Sequence, residues 1–126
     1  MIVIYGELYS SKNSKRIVKF GNKMALIPSK AYMSSIKPIE TQLCLNRYKW
    51  LKEIENAPKP LKVGFKIYRK TKRAFDWLNI GQGISDLMVK CAWLPDDNVY
   101  EYIPVFCGWE IDKNNPRTEI FLIKNQ

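Results

Sequence analysis

The stretch Leu61-Lys62-Val63-Gly64-Phe65-Lys66-Ile67-Tyr68, followed after a basic run by Asp76-Trp77-Leu78-Asn79-Ile80 and onward to Cys91, decides the fold. In its first part Leu61, Val63, Phe65 and Ile67 alternate with Lys62, Gly64, Lys66 and Tyr68. That is the two-residue period of a strand with one face in a core and one basic face outside. In its second part Trp77, Ile80, Ile84, Leu87, Met88 and Cys91 fall within one stripe at about 3.6 residues per turn. The spacing predicts a helix beginning after Asp76, with Asn79, Gln82, Asp86 and Lys90 on its opposite face.

Upstream, residues 2–9 read as a first strand and residues 10–15 as a polar loop. Residues 16–20 and 23–27 flank Gly21-Asn22 and predict a short hairpin. Ser29 after Pro28 is a candidate N-cap for a helix through Tyr32, Met33 and Ile36, which Pro38 is expected to kink or restart. From Ile39 the apolar positions Leu43, Leu45, Tyr48, Trp50, Leu51 and Ile54 fit a broad-faced helix that ends before Pro58-Lys59-Pro60. Downstream, Leu94-Pro95-Asp96-Asp97-Asn98 is a dense turn signal. Residues 99–109 and 118–123 read as closing strands around a 112–116 loop. The expected fold is a single α+β domain over residues 1–126, a mixed β-sheet packed against two main helices.

At 126 residues and 46% apolar side chains, the chain is long enough for one core and too short for two full domains. Its 21 basic and 12 acidic residues leave a net charge of +9, which suggests a polyanionic partner, nucleic acid ahead of membrane. There is no long apolar run, and Ile2-Val3-Ile4-Tyr5 is far shorter than a signal peptide's apolar region. A cytoplasmic location is therefore expected. Cys44, Cys91 and Cys107 are widely spaced and odd in number, so they read as buried, reduced thiols. The absence of histidine excludes Ser-His-Asp triads, Cys-His dyads and most zinc hydrolase sites. Hydrolytic chemistry would have to rest on carboxylates, lysines or a metal.

Residues 73–99 place Asp76, Asp86, Asp96 and Asp97 close behind Lys66, Arg69, Lys70, Lys72 and Arg73. A nuclease needs both kinds of charge: carboxylates hold Mg²⁺ through hard oxygens, while lysines and arginines bring in the phosphate backbone. A plainer reading stands beside that one. Asp76 caps a helix, Asp96-Asp97 are turn residues, and Asp86 and the lysines are solvated surface. The tryptophans and tyrosines read mostly as core, with Tyr68 on the basic strand face as the best candidate platform for an unpaired base.

The block Phe75-Asp76-Trp77-Leu78-Asn79-Ile80 through Trp93-Leu94-Pro95-Asp96-Asp97-Asn98-Val99 resembles the RusA family of Holliday-junction resolvases. Asp76 matches that family's first motif aspartate, Asn79 its asparagine, Asp86-Leu87 its mid-helix pair and Asp96-Asp97 its closing pair. Ser11-Lys12-Asn13-Ser14-Lys15-Arg16 and Pro28-Ser29-Lys30-Ala31-Tyr32 are similar to its basic loop and helix entry. The chain departs from the pattern at Leu78, where a second aspartate is usual, and at Gln82, where a catalytic lysine is expected.

The resemblance implies an Mg²⁺- or Mn²⁺-dependent endodeoxyribonuclease that acts on branched DNA as a homodimer. Asp76, Asp97 and Asp86 would be catalytic and, with Asp96, would hold the metal. Lys12, Lys15, Arg16, Lys66, Arg69, Lys70, Lys72 and Arg73 would contact DNA. Asn79, Gln82 and Lys90 would support the site, Asp86 substituting for the missing carboxylate and Lys90 for the missing lysine. Two other readings are a degenerate RusA-like protein that binds branched DNA without cutting it, and a small RNA-binding or regulatory protein.

Overall fold

The computed structural model describes residues 1–10 and 15–124, with the side chains of Lys15, Arg16 and Pro28 outside the description. Its elements are β1 (Ile2–Tyr5), β2 (Lys15–Phe20), β3 (Lys23–Pro28), α1 (Lys30–Leu45), α2 (Arg47–Glu53), β4 (Leu61–Arg69), α3 (Trp77–Lys90), β5 (Tyr102–Ile111) and β6 (Arg117–Leu122). Four strands form one sheet in the order β1-β6-β4-β5. β4 runs parallel to β5, and β6 runs antiparallel to both β1 and β4. The sheet is therefore mixed, and the fold is α+β with three helices rather than two. Among the described residues β2 and β3 pair only with each other, in a separate two-stranded sheet.

The alternation in β4 carries through as read. Leu61, Val63, Phe65 and Ile67 are buried, and they join Ile39 and Leu43 of α1, Trp50 of α2, and Ile80, Ile84 and Met88 of α3 in one core. On the other face Gly64 is covered by Phe121, because a Cβ built there would lie 2.4 Å from the ring. Trp50 and Trp93 stack with centroids 4.9 Å apart. Each indole N–H donates to a carbonyl, Trp50 to that of Trp93 and Trp93 to that of Leu43. The pair thus ties α1, α2 and the segment after α3 together with no buried donor unmet.

Several boundaries differ from expectation for local reasons. β1 stops at Tyr5 because Gly6 turns the chain at φ 105. The first helix passes through Pro38 and breaks at Asn46, whose side-chain amide donates to the Gln42 carbonyl in competition with the helix backbone. Beyond Pro38, Ile39 and Leu43 are buried and the Gln42 amide both donates to and accepts from the Tyr5 backbone, anchoring the helix across the proline. β5 starts at Tyr102 because Asn98 first closes a turn, accepting from the backbone of Tyr100, Glu101 and Tyr102. Of the cysteines only Cys91 is buried. Cys44 and Cys107 are exposed, and the Cys44 sulfur lies 2.6 Å from that of Cys91 across α1 and the end of α3. Among the described residues no helix is long and apolar enough to cross a membrane.

Candidate metal and nucleic-acid site

The expected site residues sit along α3, and its two ends are built differently. At the N-terminus Asp76 is the N-cap: one carboxylate oxygen accepts from the Leu78 N–H at 3.0 Å and the other from the Asn79 amide at 2.9 Å. The first of these meets one of the unpaired backbone donors of the helix start, so the capping role of Asp76 is realised, while the second ties the Asn79 side chain to it. Leu78, where the RusA pattern has an aspartate, is 77% exposed and points into solvent. Beside this end runs an open groove of about 760 Å³, lined among others by Glu7, Tyr9, Tyr32, Arg69, Arg73 and Asp76.

At the other end the helix closes in a Schellman turn. The Trp93 N–H reaches the Met88 carbonyl, and the Ala92 N–H reaches that of Val89. Ala92 takes φ 59 to do so. The turn buries Trp93 and Leu94 and sends Asp96 and Asp97 back beside the helix. Asp96 is occupied by its own loop, accepting from the Asp97 N–H at 2.8 Å and the Asn98 amide at 3.0 Å. Those bonds, the backbone one foremost, hold its carboxyl below the usual range. Asp86 is pushed up, first by partial burial and then by the charge of Asp97. Burial likewise pushes the neighbouring Tyr102 hydroxyl up to about 12; its bond with Ser85 works against the rise, and Asp97 adds to it.

Asp97 therefore lies within electrostatic reach of Asp86, whereas Asp76 stands at the far end of the helix from Asp86. Ten helical residues separate Asp76 from Asp86, about 15 Å along the axis, whereas metal–oxygen bonds are only about 2.0–2.6 Å. Asp86 does share a face with Asn79 and Gln82, but not a height with Asp76, so one ion cannot bridge Asp76 and Asp86 of the same chain. Among the described residues no group of three or more Asp, Glu or Cys side chains is placed to hold a metal ion. Lys90 does not replace the missing lysine: its ammonium bonds Glu40 on α1 at 3.0 Å. Gln82 is exposed, and Asn79 is committed to Asp76.

The basic residues divide as well. Lys70, Lys72 and Arg73 are exposed on the loop between β4 and α3. Lys66 is paired with Glu110 at 3.1 Å. Arg69 is only 6% exposed; it donates to the Leu8 carbonyl at 2.7 Å and lies over the Phe75 ring. An exposed DNA-contacting role for Arg69 is thus corrected to one inside the fold, at the floor of the groove. Tyr68 is not an open platform, because the Arg117 guanidinium covers its ring at 3.7 Å. Lys12 lies outside the described residues, and Lys15 and Arg16 are placed on β2 by backbone alone.

Sequence reasoning missed Glu7, Tyr9 and Tyr32 as groove residues. Glu7 accepts from the Lys70 N–H and lies 3.9 Å from the Arg69 guanidinium, joining the end of β4 to the segment after β1. No local pattern announces that long-range contact. The burial of Arg69 was legible, since an odd position on β4 shares the face of Leu61, Val63, Phe65 and Ile67. No protein-family model matches the chain, and no curated protein matches it.

Proposed function

We propose that this chain is a RusA-like, metal-dependent endodeoxyribonuclease that acts on branched DNA such as a four-way junction, working as a homodimer. The reading is supported by two carboxylates near the C-terminal end of α3, Asp86 and Asp97, close enough for the Asp97 charge to add to the effect of burial in opposing ionisation of Asp86, on a chain of net charge +9. A divalent cation relieves such a pairing. Two carboxylates fit Mg²⁺ or Mn²⁺, ions that take one or two protein carboxylates and keep waters and substrate phosphate oxygens as their other ligands. When bound, such an ion supplies Lewis acidity toward a phosphodiester and a readily deprotonated water. Asp86 and Asp97 would hold it, while Lys70, Lys72 and Arg73 neutralise the incoming backbone. A two-fold dimer suits the substrate, because a four-way junction is itself roughly two-fold and needs paired cuts.

A second reading, binding without cutting, is favoured by exposed Leu78 and by the separation of Asp76 from the Asp86–Asp97 pair. Cleavage of a labelled four-way junction with Mg²⁺ and then Mn²⁺ distinguishes the two. The nuclease reading expects paired nicks that vanish in Asp97→Asn and Asp86→Asn and persist in Asp76→Asn, since asparagine caps a helix as well as aspartate. Tight junction binding with no cleavage in either metal gives the second reading. Preference for a structured RNA, or no preference for the junction over a linear duplex, removes both.

A further inference from the structure

The β2–β3 hairpin stands apart from the rest of the fold and is poorly covered. Its register sets Ile17 opposite Leu26 and Lys19 opposite Met24, so these four side chains share one face. Phe20 and Lys23 close the ribbon on the other face, either side of the Gly21-Asn22 turn. Ile17, Phe20, Met24 and Leu26 are 65%, 60%, 70% and 62% exposed. A lone two-stranded hairpin is marginal in water, and large apolar side chains gathered on it mark a surface that meets a partner.

Charge identifies the partner. Between Glu7 and Glu40 the sequence holds no acidic residue and seven basic ones, Lys19 and Lys23 on the hairpin among them. In a two-fold contact between copies this surface would meet itself, setting like charges together at a cost. A polyanion meets it with opposite charge. The apolar residues narrow the choice further, because a continuous duplex keeps its base faces stacked and offers them no apolar surface. A branch point opens a base step and does. Six residues per strand give the ribbon a reach of about 20 Å, more than the roughly 12 Å width of a major groove.

We infer that the β2–β3 hairpin is a DNA-entering ribbon: Lys19 and Lys23 track phosphates while the tip enters a base step opened at a branch point, Met24 against the base on one side and Phe20, on the opposite face of the ribbon, against the base on the other. The inference rests on the branched-DNA reading above and assigns its structure selectivity to this element. The exposed basic residues Lys70, Lys72 and Arg73 would bind junction and linear duplex alike.

The test compares the whole chain with Phe20→Ser, Phe20→Trp, Met24→Ser and a Lys19→Ala/Lys23→Ala double variant. Binding to a four-way junction and a linear duplex is measured against salt, with 2-aminopurine at the crossover, alongside thermal unfolding and sedimentation. Phe20→Ser and Met24→Ser are each expected to lose about tenfold in junction affinity and the 2-aminopurine response, with linear-duplex binding unchanged and Phe20→Trp restoring both. The double variant is expected to flatten the log-log salt slope by about two, at about 0.9 per phosphate contact. Unfolding temperature and oligomeric state should stay at wild type. Variants that keep wild-type junction preference and slope overturn the ribbon and leave the branched-DNA reading intact. Variants that dissociate an oligomer assign the surface to a second copy and also overturn it. A wild type that binds neither DNA overturns both readings together.

Discussion

The four-stranded sheet with its helices and the β2–β3 hairpin are two regions of one chain with opposite economies of burial. In the first, Phe65, Trp50, Trp93 and Tyr102 are all but removed from water, and each indole N–H has an acceptor. In the second, four large apolar side chains stay more than half exposed on strands that pair only with each other. The first region holds itself together, whereas the second is built to be completed from outside. The candidate carboxylates belong to the first, while the longest stretch of sequence with basic and no acidic residues, between Glu7 and Glu40, contains the second.

Breaking the comparison begins in the core. Trp93→Ala deletes the stacked partner of Trp50 and the donor to the Leu43 carbonyl, and is expected to cost about 3–5 kcal/mol in denaturant unfolding. Ile17→Ser on the hairpin should stay within about 0.5 kcal/mol. Equal losses would mean that the hairpin is packed in solution. Ala92→Gly sharpens the picture within the body, because a left-handed residue with a Cβ closes α3. Glycine there is expected to add about 1 kcal/mol of stability, measured the same way.

The smallest effect is at Asp86. Its folded carboxyl lies above the ordinary value, so the folded state binds the proton more tightly than the unfolded chain. Stability contributed by that proton is present at low pH and lost as pH rises through the window from the unfolded value to the raised folded one. Asp86→Asn should therefore unfold at a slightly higher temperature than wild type near pH 7 and match it near pH 3. An identical shift at both values would mean that neither burial nor the Asp97 charge raises the Asp86 carboxyl in solution.

Much of this was legible in the sequence. The periods of β4 and α3 were strong enough to place strand and helix, and Ser29, Asp76 and Gly21-Asn22 marked two caps and a turn where the chain uses them. What failed was inference across distance. A helical wheel puts Asp86 on the face of Asn79 and Gln82, but a face says nothing of height, and the rise per residue separates Asp76 from the pair. Pro38 looked like the helix break because its local cost is obvious, while Gln42 reaching Tyr5 overrides it from another element. Arg69 followed its neighbours' charge in the reading and its strand parity in the fold. The bond between the Glu7 side chain and the Lys70 N–H joins residues half the sequence apart, and no local window of residues contains it.

One feature of the sheet bears on how the molecule is made. β1 has only β6 as a strand partner, with Ile2 facing Ile120. During synthesis β1 is made well ahead of β6 and stays without that strand partner until translation has passed Leu122. Ile2 and Ile4, buried in the finished core, gain their full cover only once β6 is in place, so this edge of the sheet rests on a contact of long sequence separation that forms late.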